Sequence, residues 1–295
     1  MTITSAGAAF RAALAREKPL QIAGTINAYT ALLAQEAGFQ ALYLSGAGVA
    51  NASYGLPDLG MTQLTEVLED LRRISSITSL PILVDIDTGW GHAFTIARAV
   101  KEVIRAGGAG VHLEDQVSAK RCGHRPGKML VDCAEMEDRV KAAVDGRSDP
   151  EFVIMARTDA LEQEGLEKTI ARCQRYVAAG ANMIFLEAAK SLQDYQAVSA
   201  AVKAPLLANM TEFGQSPLFT LSELKEAGVS LVLYPLSAFR AMSAAALAVY
   251  TTLRQKGTQK SLLDQMQTRE QLYSMLDYHR YEEQLDRLFK KENKT

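Results

Sequence analysis

The sequence predicts a single α/β domain, a (β/α)₈ barrel of the TIM type, in which eight parallel strands alternate with helices. Eight short segments rich in Val, Ile and Leu recur along the 295 residues. Stretches with helical periodicity separate them, such as TQLTEVLEDLRRISSI and EKTIARCQRYVAAG. Polar or charged residues follow nearly every apolar segment. A doubly wound open sheet, the structural alternative, would gather them in one crevice.

The predicted strands show little alternation in their first halves, which is typical of strands buried on both faces. They lie at residues 21–26, 41–46, 82–87, 110–115, 152–158, 183–188, 205–210 and 231–236. Several helical segments end in a glycine before the next strand, a common helix C-cap signal, at Gly107, Gly180 and Gly228. The first strand–helix turn has no G-x-G-x-x-G pattern, which also argues against the open sheet.

The C-terminal region extends beyond eight strand–helix units. Residues 236–295 are increasingly charged and carry apolar residues at helical spacing. Such a region must pack on its own barrel or on a neighbouring chain. We therefore expect residues 1–295 to form one barrel domain, with 236–295 as a helical region in an oligomer.

Composition excludes several classes of protein. Hydrophobic residues make up 48%, charged residues 22%, and the formal net charge is −2, so no basic field indicates nucleic acid binding. The three cysteines form no CxxC motif or paired framework, which favours a reducing cytoplasm. The N-terminus lacks the apolar core of a signal peptide, and SAFRAMSAAALAVYTTL is too short for a membrane span.

Two acidic residues at the third predicted strand are the sharpest candidates for a metal site. Asp85 and Asp87 are two residues apart, so on a strand their carboxylates share a face and repel unless a cation lies between them. His112 and Glu114 have the same spacing on the next strand. Oxygen ligands favour Mg²⁺ or Mn²⁺, and no cluster has zinc spacing. The alternative is that Asp87 caps the following helix.

The segment at residues 115–130, DQVSAKRCGHRPGKML, is a candidate active-site lid. It is too long and polar for a core and has two glycines for flexibility. Its cations are expected to lower the pKa of the Cys122 thiol and to favour the thiolate. We count Lys120 and His124 with Cys122 as catalytic candidates; the alternative is a solvated basic loop with an incidental cysteine. Cys133 and Cys173 lie in helical patterns and are interpreted as packing residues.

Several motifs together resemble the isocitrate lyase/phosphoenolpyruvate mutase superfamily. They are DIDTGWG, KRCGHRPGK, ARTDA, FLEA and ANMTEFG, and the likeness begins near SGAGVAN and covers nearly the whole chain. The lid cysteine is the most specific element, because the mutase branch is not expected to carry it. The chain is too short for the isocitrate-cleaving enzymes and has KRCGH where they have KKCGH, so it is most similar to the methylisocitrate-cleaving branch.

This resemblance implies a homotetramer whose eighth helix is swapped between subunits. It also implies Mg²⁺-dependent cleavage of 2-methylisocitrate, a small tricarboxylate, to pyruvate and succinate, in propionate breakdown by the methylcitrate cycle. The implied metal ligands are Asp85 and Asp87, supported by Asp58 and Glu114. The implied substrate contacts are Ser45, Gly46, Ala47, Cys122, Gly123, Arg157, Glu187, Asn209, Thr211, Arg240 and Arg269.

The implied chemistry is a retro-aldol-like step with Tyr43 as the base and Cys122 as the proton donor. Arginines such as Arg157 would stabilise the developing negative charge. The nearest alternatives are an isocitrate lyase, an oxaloacetate hydrolase or a phosphonate-forming mutase, and Cys122 argues against the last. A non-catalytic barrel would be expected to lose the acidic pair, the lid cysteine or Arg157.

Overall fold

The computed structural model describes residues 5–289, and its described part contains eight parallel strands in a closed barrel. Each strand pairs with the next, and β8 pairs with β1 through Leu231 and Leu20. The strands are β1 Leu20–Gly24, β2 Ala41–Leu44, β3 Ile82–Asp85, β4 Gly110–Glu114, β5 Val153–Thr158, β6 Met183–Leu186, β7 Leu206–Asn209 and β8 Leu231–Tyr234. The predicted barrel and all eight predicted strand positions are confirmed.

Helices follow the strands in alternation. They are α1 Ala6–Arg16, α2 Ala28–Glu36, α3 Gly46–Gly48, α4 Leu64–Ser75, α5 Ala93–Arg105, α6 Cys133–Asp145, α7 Leu161–Ala178, α8 Leu192–Ala201, α9 Leu221–Glu226, α10 Ser237–Lys256, α11 Arg269–Met275 and α12 Tyr278–Phe289. A π-helical turn, Val49–Ser53, continues α3, and a 3₁₀ turn, Lys260–Gln265, precedes α11. No helix among residues 5–289 has the length and apolarity needed to cross a bilayer.

Strand and helix ends follow the predicted signals. Gly107, Gly180 and Gly228 all have positive φ, the left-handed conformation that glycine adopts without a Cβ penalty. Ser191 and Thr220 begin α8 and α9 as capping boxes, in which the side chain accepts from the third helical residue. These local signals set where each helix begins and ends. Because all eight strands are parallel, their carboxyl ends lie at one rim of the barrel.

Apolar side chains fill two layers, which explains why the strands lack alternation. Inside the barrel, Leu83, Met155 and Leu207 pack with their neighbours. Between strands and helices, Val84 and Ile154 belong to a larger cluster. Since the strands face apolar neighbours on both sides, charged residues on this sheet are confined to the rim at the strand ends.

The chain divides into two compact units, Met1–Arg240 and Ala241–Thr295. The first unit holds the barrel. The second holds most of α10, together with α11 and α12. That residues 236–295 form one domain with the barrel and pack on a neighbouring subunit stays a prediction. Residues 1–4 and 290–295 of the predicted domain lie outside the described residues.

Candidate active site

A cleft at the carboxyl ends of the strands gathers most of the predicted site residues. Its empty space, including the part that is open to solvent, is about 530 Å³. Predicted residues that line it are Tyr43, Ser45, Ala47, Asp58, Asp85, Lys120, Cys122, Gly123, His124, Arg157, Glu187, Asn209, Thr211 and Arg240. The remaining walls are apolar and come from Phe185, Leu233, Pro235 and Leu236. A concave site with convergent polar groups and an apolar wall is typical of small-molecule binding.

Three buried side chains form the floor of the cleft. The Tyr43 hydroxyl lies 2.9 Å from His112 Nε2 and 3.4 Å from Asp85 Oδ2. Burial lowers the pKa of His112 to about 4, so its ring is neutral at pH 7. Burial and the charge of Asp85 raise the pKa of Tyr43 well above its ordinary value. The floor therefore holds a protonated phenol in contact with a neutral imidazole and a carboxylate.

The carboxylates of Asp85 and Asp87 lie close together, as expected, but strand alternation is not the cause. Strand β3 ends at Asp85, and Asp87 has a left-handed φ of 48°. The Asp87 amide donates to Asp85 Oδ1 at 2.9 Å, and the Gly46 amide donates to Asp85 Oδ2 at 3.0 Å. A Cβ at Gly46 would lie 3.1 Å from Asp85 Oδ2 and 3.2 Å from Asp87 Oδ1. A turn, and not the strand, therefore brings the two carboxylates together.

The lid supplies a cation to these carboxylates. Lys120 Nζ lies 2.7 Å from Asp58 Oδ1 and 2.6 Å from Asp87 Oδ1. Burial and the charge of Asp85 raise the pKa of Asp87 to about 6. Burial alone would raise the pKa of Asp85, but His112, Lys120 and Arg157 outweigh it and lower the pKa to about 2. The pair thus behaves as two close carboxylates of which one ionises readily.

The charge balance of this cluster fits a divalent cation. In the described part of the cluster, carboxylates outnumber cationic side chains six to three: Asp58, Asp85, Asp87, Glu114, Asp159 and Glu187 against Lys120, Lys128 and Arg157. Asp87 Oδ1 is buried, and Lys120 Nζ, at 2.6 Å, is the cation that pairs with it. No group of three or more metal-ligating side chains converges among residues 5–289. Mg²⁺ suits such a site because it retains several waters and needs only one or two carboxylates.

Arg157 is the centre of a buried ion-pair web on β5. Its guanidinium contacts Asp159 at 3.0 Å, Glu114 at 3.4 Å and Glu187 at 3.5 Å, and it lies over the Phe185 ring. Burial raises the pKa of Glu114 well above its ordinary value. Glu114, predicted to support the metal, therefore contacts Arg157 behind the cleft. Among residues 5–289, the two carboxylate oxygens of Glu114 have no hydrogen-bond partner besides the ion pair with Arg157.

Cys122 lies on the cleft wall with a partly exposed side chain. The expectation of a thiolate is wrong for this structure. Burial raises the pKa of the Cys122 thiol, and the carboxylates of Asp58 and Glu187 add to the rise. The cations of the lid do not prevent this, because Lys120 is paired with carboxylates and Arg121 with a backbone carbonyl. A neutral thiol can donate a proton, which is the role predicted for it.

Gly123 and His124 fit the lid closely against the barrel. A Cβ at Gly123 would lie 2.1 Å from Glu187 Oε1 and 2.3 Å from Arg157 Nη2, so a larger residue requires the lid or these two side chains to move. His124 Nδ1 accepts from the Gln215 amide at 2.9 Å, which leaves the proton on Nε2. Nε2 lies 3.1 Å from Glu187 Oε1. His124 thus connects the Gln215 amide to the Glu187 carboxylate, whose other oxygen accepts from Asn209 at 3.2 Å.

Some predicted residues lie outside the cleft lining, and some important ones were not predicted. Arg269 begins α11 in the second unit, where its guanidinium donates to Tyr273 at 3.3 Å. Asp159 and Lys128 were not assigned, yet both are buried beside Arg157 and Gly123. The same two-residue spacing that drew attention to the acidic pair separates Arg157 from Asp159, and this signal could have identified Asp159.

Comparisons with known proteins show which family the chain is similar to. The family model described as phosphoenolpyruvate phosphomutase matches residues 10–254. The chain is 63% identical to the 2-methylisocitrate lyase of Shewanella oneidensis, over 97% of this chain and 98% of that one. It is 61% identical to the 2-methylisocitrate lyase of Escherichia coli strain K12, over 98% of each chain.

Two solved structures are similar over nearly the whole chain. One is 2,3-dimethylmalate lyase, with a TM-score of 0.87 and 35% identity over 95% of this chain and 94% of that one. The other is phosphonopyruvate hydrolase in complex with oxalate and Mg²⁺, with a TM-score of 0.84 and 27% identity over 97% of this chain and 100% of that one. The chain belongs to the phosphoenolpyruvate mutase/isocitrate lyase superfamily, and within it to the family of the 2-methylisocitrate lyases.

Proposed function

We propose that this protein is a Mg²⁺-dependent carbon–carbon lyase that cleaves 2-methylisocitrate to pyruvate and succinate. The observation that carries the proposal is that one cleft is lined by Asp85, by Arg157 and by Cys122, whose thiol has a raised pKa, while Asp87 lies beside Asp85. The printed names of relatives with 63% and 61% identity support the same substrate. A second candidate, cleavage of isocitrate, differs by one methyl group.

Asp85 and Asp87 would hold Mg²⁺ directly or through water, with Asp58 beside them and Glu114 behind the cleft. When bound, Mg²⁺ supplies Lewis-acid polarisation of the substrate carboxylate and hydroxyl that become pyruvate. Mn²⁺ has a similar ligand preference. The similar phosphonopyruvate hydrolase structure, a complex with oxalate and Mg²⁺, supports Mg²⁺ as the metal of this protein.

Tyr43 is the proposed acceptor of the substrate hydroxyl proton. Because its pKa is raised, a free phenolate is costly, so the phenol oxygen would pass a proton to a group already in contact with it. His112 Nε2, at 2.9 Å, and Asp85 Oδ2, at 3.4 Å, are the groups within reach. As the hydroxyl loses its proton, the carbon–carbon bond breaks and the electron pair moves to the carbon that becomes part of succinate.

Arg157 and Cys122 complete the reaction on the succinate half. Arg157, with Asn209 and Thr211, would stabilise the negative charge that develops there. The Cys122 Sγ–H then donates a proton to the carbanion, and the resulting thiolate recovers a proton before the next turnover. Lys120 and His124 hold the lid residues next to the thiol by pairing with Asp58 and Glu187.

The apolar wall is the proposed site for the methyl group that distinguishes the two candidate substrates. Phe185 and Leu233 line the cleft beside Pro235 and Leu236. One methyl group is typically worth about 1–3 kcal/mol of discrimination in a hydrophobic pocket. A preference for 2-methylisocitrate over isocitrate of roughly 10–200-fold is therefore expected.

The remaining substrate contacts are proposed at the polar mouth. Ser45, Gly46 and Ala47 would contact the carboxylates through hydroxyl and backbone groups. Gly123, from the lid, and Glu187, at the end of β6, are further proposed substrate contacts. Arg240 lies at the cleft edge and is paired with Glu212 at 3.5 Å. Arg269 is proposed to contact substrate only as part of an assembled oligomer.

Assembly is proposed as a homotetramer in which the eighth helix is exchanged between subunits. In the second unit, Leu247, Tyr250, Leu288 and Phe289 are exposed, and large exposed apolar side chains in one region are typical of a surface that another chain covers. Light scattering of the purified protein tests this directly: a mass of four chains supports it, and a monomer contradicts it. We place the enzyme in the cytoplasm, in propionate breakdown by the methylcitrate cycle, with no nucleic acid or membrane partner.

The test of the function is product release from the purified protein. Pyruvate from 2-methylisocitrate and glyoxylate from isocitrate are measured side by side, with Mg²⁺ and with EDTA. Mg²⁺-dependent pyruvate release, faster than glyoxylate release, supports the proposal. Faster glyoxylate release would overturn the substrate, and full activity in EDTA would overturn the metal.

A further inference from the structure

The lid is joined to the barrel by a narrow neck. Gln116 and Leu130 form an antiparallel bridge, and the Val117 amide donates to the Met129 carbonyl at 2.9 Å. The residues between these points form one long loop, and Cys122 lies near its middle. The position of the thiol therefore depends on contacts made within the loop and between the loop and the strand ends.

Two side chains hold the backbone on either side of Cys122. The Gln116 side chain accepts from the Arg121 amide at 3.0 Å and donates to the Arg121 carbonyl at 2.9 Å. Lys128 Nζ donates to the Gly123 carbonyl at 2.6 Å. The peptide unit that precedes Cys122 and the peptide unit that follows Gly123 are thus both fixed by hydrogen bonds.

Lys128 also connects the lid to β5. Its Nζ lies 3.1 Å from Asp159 Oδ1, and the side chains of the pair are 1% and 0% exposed. Asp159 Oδ1 accepts from Arg157 Nη2 at 3.2 Å, and its Oδ2 accepts from Arg157 Nε at 3.0 Å. One buried carboxylate therefore sets both the guanidinium in the cleft and the ammonium that holds the lid.

Asp159 is itself anchored below the cleft. Its amide donates to Asp115 Oδ1 at 2.9 Å, and the neighbouring Thr158 hydroxyl donates to Asp115 Oδ2 at 2.7 Å. The Tyr176 hydroxyl donates to the same Asp115 oxygen at 2.9 Å. A buried ammonium is costly without a partner, so Lys128 favours the arrangement in which this anchored carboxylate and the Gly123 carbonyl are both in contact.

We propose that Lys128 is a positioning residue that, through Asp159, fixes the Gly123 peptide and thereby aligns the Cys122 thiol with the Arg157 side of the cleft. The kinetic consequence rests on the proposed function. The structural consequence, a thiol held in a partly shielded place, does not depend on which substrate is cleaved.

The experiment compares Lys128→Met with Arg125→Met, which removes a cation from an exposed position of the same lid. Three quantities are measured: the iodoacetamide alkylation rate of each cysteine by peptide mass spectrometry, kcat and KM for 2-methylisocitrate, and the melting temperature. Asp159→Asn, which keeps the side-chain shape but removes the charge, is a second way to break the same pair.

For Lys128→Met, alkylation of Cys122 is expected to accelerate about tenfold, because the loop samples open positions more often. The value of kcat is expected to fall about 10–100-fold with KM within about threefold, since a misplaced donor affects the chemical step most. Alkylation of Cys133 and Cys173 should change little even if loss of the buried ammonium lowers the melting temperature, and Arg125→Met should match the wild type. Asp159→Asn should also accelerate Cys122 alkylation, and the double variant should accelerate it no further.

Two results would overturn the proposal. One is a Lys128→Met protein whose Cys122 alkylation and kcat stay within about twofold of the wild type. The other is equal acceleration at all three cysteines with a lower melting temperature, which indicates general loosening. If the wild type does not cleave 2-methylisocitrate, the proposed function fails, while the alkylation rates still decide the role of Lys128.

Discussion

The floor and the lid of the cleft present similar charged groups but are built in different ways. His112 on the floor and Arg157 beside it project from strands whose backbone hydrogen bonds close the barrel, and both are counted as part of the floor. In the lid, Cys122 has no such ladder, and the backbone around it is held by side chains from Gln116, Lys128 and Gln215. The floor is therefore rigid by topology, whereas the lid is ordered by a few replaceable polar contacts.

This difference suits the division of labour in the proposed reaction. Charge stabilisation by Arg157 needs fixed groups that do not reorganise, which strands provide. Proton donation by Cys122 must follow bond cleavage and be shielded from water, which a loop that moves over the substrate can provide. Some substitutions in the two regions should therefore change kcat without changing the free energy of unfolding, and others should do the reverse.

The largest effect is expected for Cys122→Ser. A serine hydroxyl is a far weaker acid than a thiol, so kcat should fall by about 10²–10⁴-fold, the typical contribution of a general acid. The melting temperature and Mg²⁺ affinity should stay close to the wild type, because the side chain only lines the cleft. Steady-state kinetics and calorimetry measure both, and near-normal turnover would contradict the donor role.

On the floor, Asp85→Ala should reduce metal affinity and activity together. It removes a carboxylate that accepts from the Gly46 and Asp87 amides, and kcat/KM should fall at least about 10²-fold. Titration calorimetry with Mn²⁺ measures the loss of binding. Glu36→Ala, on an exposed part of α2, is the control and should leave both quantities unchanged.

Gly123→Ala tests how closely the lid fits the floor. The added methyl would meet the Glu187 carboxylate and the Arg157 guanidinium, so the lid must shift away. Displacement of the thiol by about 1 Å can cost about 10²-fold in kcat. If the variant keeps full kcat, the close fit between the lid and the strand ends is not needed for turnover, and the contrast between the two regions is weaker than proposed.

The protonation state of the thiol predicts a pH profile. Because the pKa of Cys122 is raised, the donor form persists at and above neutral pH. The kcat should therefore not fall between pH 7 and roughly 8.5, the ordinary thiol pKa, if proton donation limits turnover. Loss of kcat in that range that Cys122→Ser abolishes would indicate a lowered thiol pKa instead.

The smallest effect on catalysis is expected beneath the floor. Ile154 on β5 is fully buried between sheet and helices. Ile154→Ala should cost about 2–5 kcal/mol of unfolding free energy while kcat at 25 °C stays near the wild type. Urea unfolding and kinetics measure the two quantities. A large loss of kcat would show that the floor is less rigid than the backbone hydrogen bonds between its strands imply.

Strand positions and the identity of most cleft residues could be predicted because both depend on local pattern. Tyr43, Asp85, Arg157 and Asn209 follow apolar runs, and parallel strands bring their carboxyl ends to one rim. The geometry of Asp87 could not be predicted in the same way. Its left-handed φ depends on a turn that the Asp85 carboxylate stabilises, and strand alternation does not describe such a turn.

Contacts between distant segments also escaped prediction. Lys120 bridges Asp58 and Asp87, which lie far apart in the chain. Its positive charge, one of those in the lid, is therefore compensated by carboxylates of the barrel. The raised pKa of Cys122 has the same origin. Positive neighbours in sequence lower a thiol pKa only if they remain unpaired, and here carboxylates from other strands compensate them.

By itself, the sequence determined the (β/α)₈ barrel, the polar rim and the lid cysteine, because periodicity, capping residues and apolar runs act over a few residues. The tertiary structure decided how the polar groups pair: Lys128 with Asp159 and Gly123, His124 with Gln215, and Tyr43 with His112. These partners meet only after the barrel closes, since closure sets the register that brings separate strand ends and the lid within hydrogen-bonding distance.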